Sequence, residues 1–183
     1  ALANADSPLS LETDSTQMLM NKLLISMEKN WAANFFTPGI WTGSSTGADI
    51  LTMTWGNPAS DPVSDLQLQA SAMSQRTGFL PNTIVLGESA WYSLINSPAV
   101  LDRIRYTQTG IVTEDLVAAL LGIPRVFVMR GIEVTTPEGQ AGTATATIGA
   151  ADDVALFYSA PSPSLRTPTA GYGFTWNQYL SGG

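Results

Sequence analysis

The sequence predicts an α+β fold, and three features of its 183 residues indicate it. Apolar residues recur at helical spacing over residues 14–36. Residues 61–131 then read as helix, strand, helix, helix, strand, with turn residues between the elements. Strand-like runs occupy 132–158, ahead of a segment rich in proline and glycine. We therefore expect a long helix, a compact α/β unit and returning β-structure.

The first element is a long amphipathic helix over residues 14–36. Asp14 can cap its N-terminus, with Gln17 three residues later as in a capping box. Pro38 and Gly39 stop it. The apolar side chains at helical spacing are Met20, Leu23, Leu24, Met27 and Trp31, followed by Phe35. Such a helix is typical of a domain core, or of a spine that runs beyond a small core.

Residues 37–60 are rich in glycine, serine and threonine and are predicted to connect two subdomains. In the α/β unit, Asp61 is expected to cap a helix that has Pro62 at its first position and ends at Gly78. The elements predicted after it are a buried strand at 82–86, helices at 88–95, 99–104 and 113–122, a second buried strand at 125–129, a β-hairpin at 132–148 that turns at 137–139, and a strand at 154–158.

The composition indicates a chain whose surface suits contact with partners. Charged residues make up 13% and hydrophobic residues 44%, whereas soluble domains carry about 25% charged residues. A secreted domain rich in threonine, serine and glycine is the alternative explanation. The net charge of −7, without a basic cluster, argues against specific nucleic-acid binding. Neither a membrane-spanning apolar run nor a signal peptide is visible, so no membrane partner is expected.

The sequence predicts no enzyme, catalytic residue, cofactor or metal site. Cysteine and histidine are absent, which excludes thiol nucleophiles, the usual zinc sites and histidine acid–base chemistry. Residues 87–90 (GESA) resemble a nucleophile elbow, but Trp91 occupies the fifth position, where that motif has glycine. Ser89 also has no histidine to activate it. The five tryptophans leave a glycan-binding face as an alternative.

Residues 160–176 (APSPSLRTPTAGYGFTW) combine three prolines, two glycines and three aromatic residues, with Arg166 as the only charge. This segment is too rigid and too apolar to be a solvated tail. We expect it to lie against a surface that belongs partly to another copy of the chain.

Read together, several blocks resemble the major capsid proteins of tailed bacteriophages and related prophages. The resemblance keeps its order over roughly residues 9–176. It is carried by DPVSD at 61–65, PNTIVLG at 81–87, NSPAVLDRIRYT at 96–107, LVAALLGIPRV at 116–126 and APSPSLRTPTAGYGF at 160–174.

The resemblance implies the Hong Kong 97-like (Johnson) fold, with a long spine helix, an axial A domain and a peripheral P domain. It divides the chain into a spine helix and connector of the P domain at 1–60, an A domain at 61–131, and strands at 132–183 that return mainly to the P domain. Only about thirteen residues precede the helix, so most of the N-terminal arm and extended loop of that family is lacking, through cleavage, truncation or incomplete coverage.

The resemblance further implies a structural protein that self-assembles into hexamers and pentamers of an icosahedral phage head. That head encloses double-stranded DNA without binding it specifically. Expected partners are other copies of the chain and scaffold, portal and decoration proteins, in the virion and, during assembly, in the host cytoplasm. A nanocompartment shell of the same fold and a secreted glycan-binding module remain alternatives. The expected subunit contacts are Trp31, Arg166, Tyr172, Phe174 and Trp176, with Tyr106 and Gly110 toward the capsomer axis.

Overall fold

The computed structural model describes residues 11–36, 54–105, 112–137, 139–140, 144–162, 164 and 166–173. The five helices of these residues are α1 (Leu11–Phe35), α2 (Pro62–Thr77), α3 (Glu88–Ile95), α4 (Pro98–Ile104) and α5 (Glu114–Leu121). The strands are β1 (Thr83–Gly87), β2 (Arg125–Met129), β3 (Ile132–Val134), β4 (Thr145–Thr147) and β5 (Val154–Phe157).

The chain folds into two compact units, each built from two separate segments. The first unit combines Ala1–Thr52 with Met129–Ala151, and the second combines Met53–Val128 with Asp152–Gly183. The division predicted from the sequence, with residues 132–183 returning mainly to the P domain, stays a prediction.

The first unit contains α1 and a β-hairpin formed by β3 and β4. The two strands are antiparallel, with Ile132 opposite Thr147 and Val134 opposite Thr145, as predicted for 132–148. Gly139, in the predicted turn, has a φ of 87°, a left-handed conformation that glycine adopts without strain. Helix α1 begins three residues earlier than predicted, so Asp14 lies in its first turn and is not its N-cap.

Local capping signals define the helices of the second unit, as predicted. The Asp61 side chain accepts hydrogen bonds from the backbone N–H groups of Val63 and Ser64, and α2 ends at Gly78 with φ 76°. Helix α5 begins at the Thr113 cap and ends at Gly122 in the same left-handed conformation. These caps satisfy backbone groups that helix ends leave without partners.

A three-stranded sheet in the order β2-β1-β5 forms the centre of the second unit. All five residues of β1 are buried. Strand β5 pairs antiparallel with it, from Thr83 opposite Phe157 to Leu86 opposite Val154. The prediction of a buried strand at 125–129 is wrong in part, because β2 lies at the sheet edge and Phe127 is 54% exposed. A continuous apolar run does not distinguish a central strand from an edge strand.

The hydrophobic core of the second unit joins β1 to the surrounding helices. Its buried residues are Val63, Leu66, Ile84, Leu86, Trp91, Leu94, Val100, Ile104, Val117 and Ile123. Trp91 therefore belongs to the core, and Ser89 is an exposed residue in the first turn of α3.

Candidate assembly interface

The N-terminal two-thirds of α1 exposes large apolar side chains. These are Met18, Leu19, Met20, Leu23, Leu24, Ile25 and Met27, each at least 44% exposed. Because successive helical residues are rotated by about 100°, Met20, Leu23, Leu24 and Met27 lie on one side of α1, while the polar residues Asn21, Lys22 and Ser26 lie on other sides. An exposed apolar helical surface of this kind is suited to contact with a partner.

The C-terminal end of α1, in contrast, is anchored within the first unit. Ala32 and Phe36 are buried, and the backbone passes close to Phe36 at Gly149, which has φ 80°. A Cβ atom at Gly149 would lie 3.0 Å from Phe36 Cδ1 and 3.1 Å from Met129 Cε. The packing here therefore depends on a residue without a side chain.

Trp31, an expected subunit contact, lies in an aromatic cluster at this anchored end. Its ring centroid is 6.3 Å from that of Phe35 and 6.0 Å from that of Phe36. Trp31 is half-buried and Phe35 is 43% exposed. Trp31 thus packs against two aromatic rings of its own chain.

Polar contacts also join α1 to the hairpin. The Lys29 ammonium forms an ion pair with Glu133 of β3, and the Glu28 carboxylate occupies the space beside Gly131. The outward side chains of β3, Ile132 and Val134, are each 62% exposed. The hairpin therefore holds the end of α1 and presents apolar side chains of its own.

The C-terminal segment folds back on itself to form a closed loop (Tyr158–Tyr172). The Ala170 N–H donates to the Tyr158 carbonyl at 2.9 Å, and the Ala160 N–H donates to Thr169 Oγ1 at 3.2 Å. The Tyr172 hydroxyl donates to the Ser162 carbonyl at 2.9 Å. These three bonds account for the compact shape of a segment that the sequence predicted to be extended.

The closed loop contains two of the expected subunit contacts. Tyr172 is half-buried within the loop, and Arg166 is exposed. Both belong to the second unit, and their role as subunit contacts stays a prediction. Tyr106, Gly110, Phe174 and Trp176, the remaining expected contacts, lie outside the described residues.

Asn82 fixes the position of Ser159 in the C-terminal segment, whereas the sequence predicts only that Asn82 begins a strand. Its Nδ2 donates to the Ser159 carbonyl at 2.7 Å, and its Oδ1 accepts from the Ser159 N–H at 2.9 Å. An asparagine directly before a buried apolar run is a weak sequence signal for such a contact. Its partner lies 77 residues away along the chain, and no local pattern indicates that partner.

Two carboxyl groups of the second unit have shifted pKa values. The hydroxyl of Ser64 and the backbone N–H groups of the α2 cap, together with the Arg103 guanidinium at 3.1 Å, lower the pKa of Asp61 below its usual value. Burial, together with the neighbouring Asp152 carboxylate, raises the pKa of Asp153. Asp61 thus connects α2 to α4 as a carboxylate.

Within the part of the chain that the structure describes, no group of acidic side chains is arranged to hold a metal ion. Among the same residues, no helix is long and apolar enough to cross a membrane. Two surfaces are candidates for contact with a partner: the exposed apolar part of α1 and the closed loop.

Comparison with known proteins finds similar proteins in sequence and in structure, while no protein-family model matches the chain. The chain is 28% identical over 127 residues to the major capsid protein of Burkholderia phage BcepMu. The alignment covers 69% of this chain and 41% of that protein. A phage-related protein from Bordetella bronchiseptica RB50 shares the fold, with a TM-score of 0.73 and 22% identity over 93% of this chain and 56% of that one.

The chain thus spans about half the length, or less, of the proteins it matches. Both comparisons point to phage proteins, and the sequence match confirms the predicted resemblance to phage major capsid proteins. The protein is a relative of a bacteriophage major capsid protein.

Proposed function

We propose that the chain is a structural, non-enzymatic subunit of a phage head with the Hong Kong 97-like fold. In this proposal, copies form hexamers and pentamers that close into an icosahedral shell around double-stranded DNA. The observation that carries the proposal is the 28% identity over 127 residues to a phage major capsid protein. The fold shared with a phage-related protein supports it.

The exposed apolar surface of α1 supports assembly on physical grounds. Fully burying one Leu or Met side chain contributes about 1.5–3 kcal/mol, and α1 exposes seven such apolar side chains from Met18 to Met27. Covering part of this surface with a neighbouring subunit would offset the entropic cost of association. Contacts in a ring are heterologous, so α1 would meet a different surface of the next copy.

The expected interface residues remain part of the proposal. Trp31 would contribute aromatic contact area at the end of α1, and Arg166 and Tyr172 would contribute through the closed loop. The proposal keeps Phe174 and Trp176 as further contacts, with Tyr106 and Gly110 toward the capsomer axis.

The charge of the chain is consistent with a container for nucleic acid that does not grip it. At a net charge of −7, the chain offers no basic stripe for a phosphate backbone. We therefore propose a virion location, DNA that is enclosed without specific binding, and assembly in the host cytoplasm. Scaffold, portal and decoration proteins would be its further partners.

The test compares the wild-type chain with two variants by sedimentation velocity and electron microscopy. Leu24→Glu places a charge on the exposed apolar surface, whereas Asn21→Glu places the same charge at an exposed polar position of the same helix. We expect the wild type and Asn21→Glu to form capsomers or shells, and Leu24→Glu to remain dissociated. A wild type that stays monomeric up to its solubility limit would refute the assembly function.

The contents of the particles separate the phage head from its alternatives. Particles recovered from infected or induced host cells should contain nuclease-protected double-stranded DNA. Particles with protein cargo and no DNA would identify a nanocompartment shell. A stable monomer retained on insoluble polysaccharide would identify a glycan-binding module.

A further inference from the structure

The closed loop (Tyr158–Tyr172) is held in place by contacts at its base that the proposed function does not explain. Tyr158 stacks on Phe79 with ring centroids 4.9 Å apart. The Ala170 N–H returns to the Tyr158 carbonyl at 2.9 Å, so the two ends of the loop meet. Compact surface loops with meeting ends are frequently functional.

Asn82 fixes the position of the loop relative to the sheet. Both polar atoms of its side-chain amide bond to the backbone of Ser159, at 2.7 and 2.9 Å. These bonds lie beside the end of the β1–β5 ladder, where Thr83 is opposite Phe157 and the Asn82 N–H donates to the Phe157 carbonyl at 3.2 Å. Arg125 Nη2 donates to the same Ser159 carbonyl at 3.1 Å. The loop is therefore preorganised, which lowers the entropic cost of binding a partner.

Arg166 is exposed in this preorganised loop and is its only charged residue. The acidic residue nearest to it in the sequence is Asp153, so the loop has no carboxylate of its own. The chain carries 15 acidic and 8 basic residues, and a second copy therefore offers an excess of carboxylates. Nucleic acid is the less favoured partner, because phosphate binding depends on several cations acting together.

We propose that the closed loop is a preformed docking element for a second copy of this chain, with Arg166 binding a carboxylate of that copy and Asn82 holding the loop in position. The proposal rests on the proposed assembly function. It adds which loop docks, which charge it uses and which residue positions it.

The first experiment measures the protein concentration at which half of the chain is assembled, by mass photometry at low and high salt. Arg166→Glu and the control Arg76→Glu make the same change in net charge, from −7 to −9, since each replaces +1 by −1. Arg76 is also exposed, in the last turn of α2. We expect Arg166→Glu to need roughly tenfold more protein at low salt, with Arg76→Glu and Arg166→Lys close to the wild type.

The outcomes separate this proposal from the proposed function. If the wild type assembles and Arg166→Glu assembles at the same concentration, or if Arg76→Glu is equally impaired, the docking role of Arg166 is refuted while assembly stands. If the wild type does not assemble, the assembly function itself fails, and the docking proposal fails with it.

The second experiment tests the positioning role of Asn82 in the unassembled protein. Trypsin can cleave after Arg166, and mass spectrometry follows the appearance of the fragment ending there. We expect Asn82→Ala to raise the cleavage rate roughly tenfold, since two hydrogen bonds to Ser159 are lost. Asn96→Ala, the same change at an exposed position outside the loop, should leave the rate unchanged. Equal rates for Asn82→Ala and the wild type would refute the positioning role.

Discussion

Replacing Asp61 tests how much of the second unit depends on one side chain that both caps α2 and bonds to α4. Its Oδ1 accepts from the backbone N–H groups of Val63 and Ser64, each at 3.2 Å, and its Oδ2 accepts from the Ser64 hydroxyl at 2.7 Å. Arg103 Nη2 lies 3.1 Å from the same Oδ2. Asp61→Ala removes all of these contacts at once.

The expected magnitude follows from these contacts. Loss of an N-cap costs about 1 kcal/mol, and a partly exposed ion pair contributes about 0.2–1 kcal/mol. We therefore expect Asp61→Ala to lower the free energy of unfolding by about 1.5 kcal/mol, or the Tm by roughly 3–6 °C. Asp61→Asn should lose much less, about 0.5 kcal/mol, because asparagine caps as well as aspartate and only the charge is lost.

The dependence on pH has a defined sign. The folded state lowers the pKa of Asp61 below its usual value of 3.8, so its contribution is fully present above about pH 4. That contribution is lost as the pH falls through the lower pKa of the folded protein. The difference in Tm between the wild type and Asp61→Asn should therefore be constant near neutral pH and shrink in acid.

The assay is thermal unfolding followed by circular dichroism and by fluorescence, since Trp55 and Trp91 lie in the second unit. Asp102→Ala is the matched control, because Asp102 is an exposed carboxylate on the adjacent helix α4, and it should change stability by less than about 0.5 kcal/mol. A stability of Asp61→Ala equal to that of the wild type, or equal losses for Asp61→Ala and Asp61→Asn, would refute the capping argument.

Three further predictions concern burial, close packing and the core. Burial and the adjacent carboxylate raise the pKa of Asp153, so the folded state resists ionisation of this carboxyl group. The protein therefore loses stability as the pH rises from the usual pKa through the raised pKa. Asp153→Asn should have a higher Tm than the wild type at pH 7 and an equal Tm below the usual pKa. Gly149→Ala should destabilise the first unit by about 2–4 kcal/mol, because it adds both backbone strain and overpacking. Gly139→Ala, also at positive φ but with open space around it, should cost only the backbone strain of about 1–2 kcal/mol. Hydrogen exchange in α1 distinguishes the two variants, and equal effects would contradict the packing argument. Ile84→Ala, at a fully buried site, should lower the free energy of unfolding in urea by about 2–5 kcal/mol. Leu80→Ala, at an exposed site, should lower it by less than about 0.5 kcal/mol. Similar losses for both variants would show that β1 is not the core strand.

Much of the second unit could be predicted because its signals are local. Asp61, Thr113, Gly78 and Gly122 each act within a few residues, by capping an adjacent helix end or by adopting a positive φ. Such preferences hold whatever the rest of the chain does. The hairpin of β3 and β4 was predictable for the same reason, since its strands are close in sequence.

The sequence by itself determined the α+β composition, the caps and the relationship to phage capsid proteins. Only the tertiary structure decided that β5 pairs with β1, that β2 lies at the edge of the sheet, and that Asn82 holds Ser159. These contacts join residues far apart in the chain, and their energies depend on which surfaces meet. The exposed apolar side chains of α1 have the same physical basis. Hydrophobicity predicts that a side chain favours burial, but the partner that buries it is specified by the fold and, in our proposal, by a second copy of the chain.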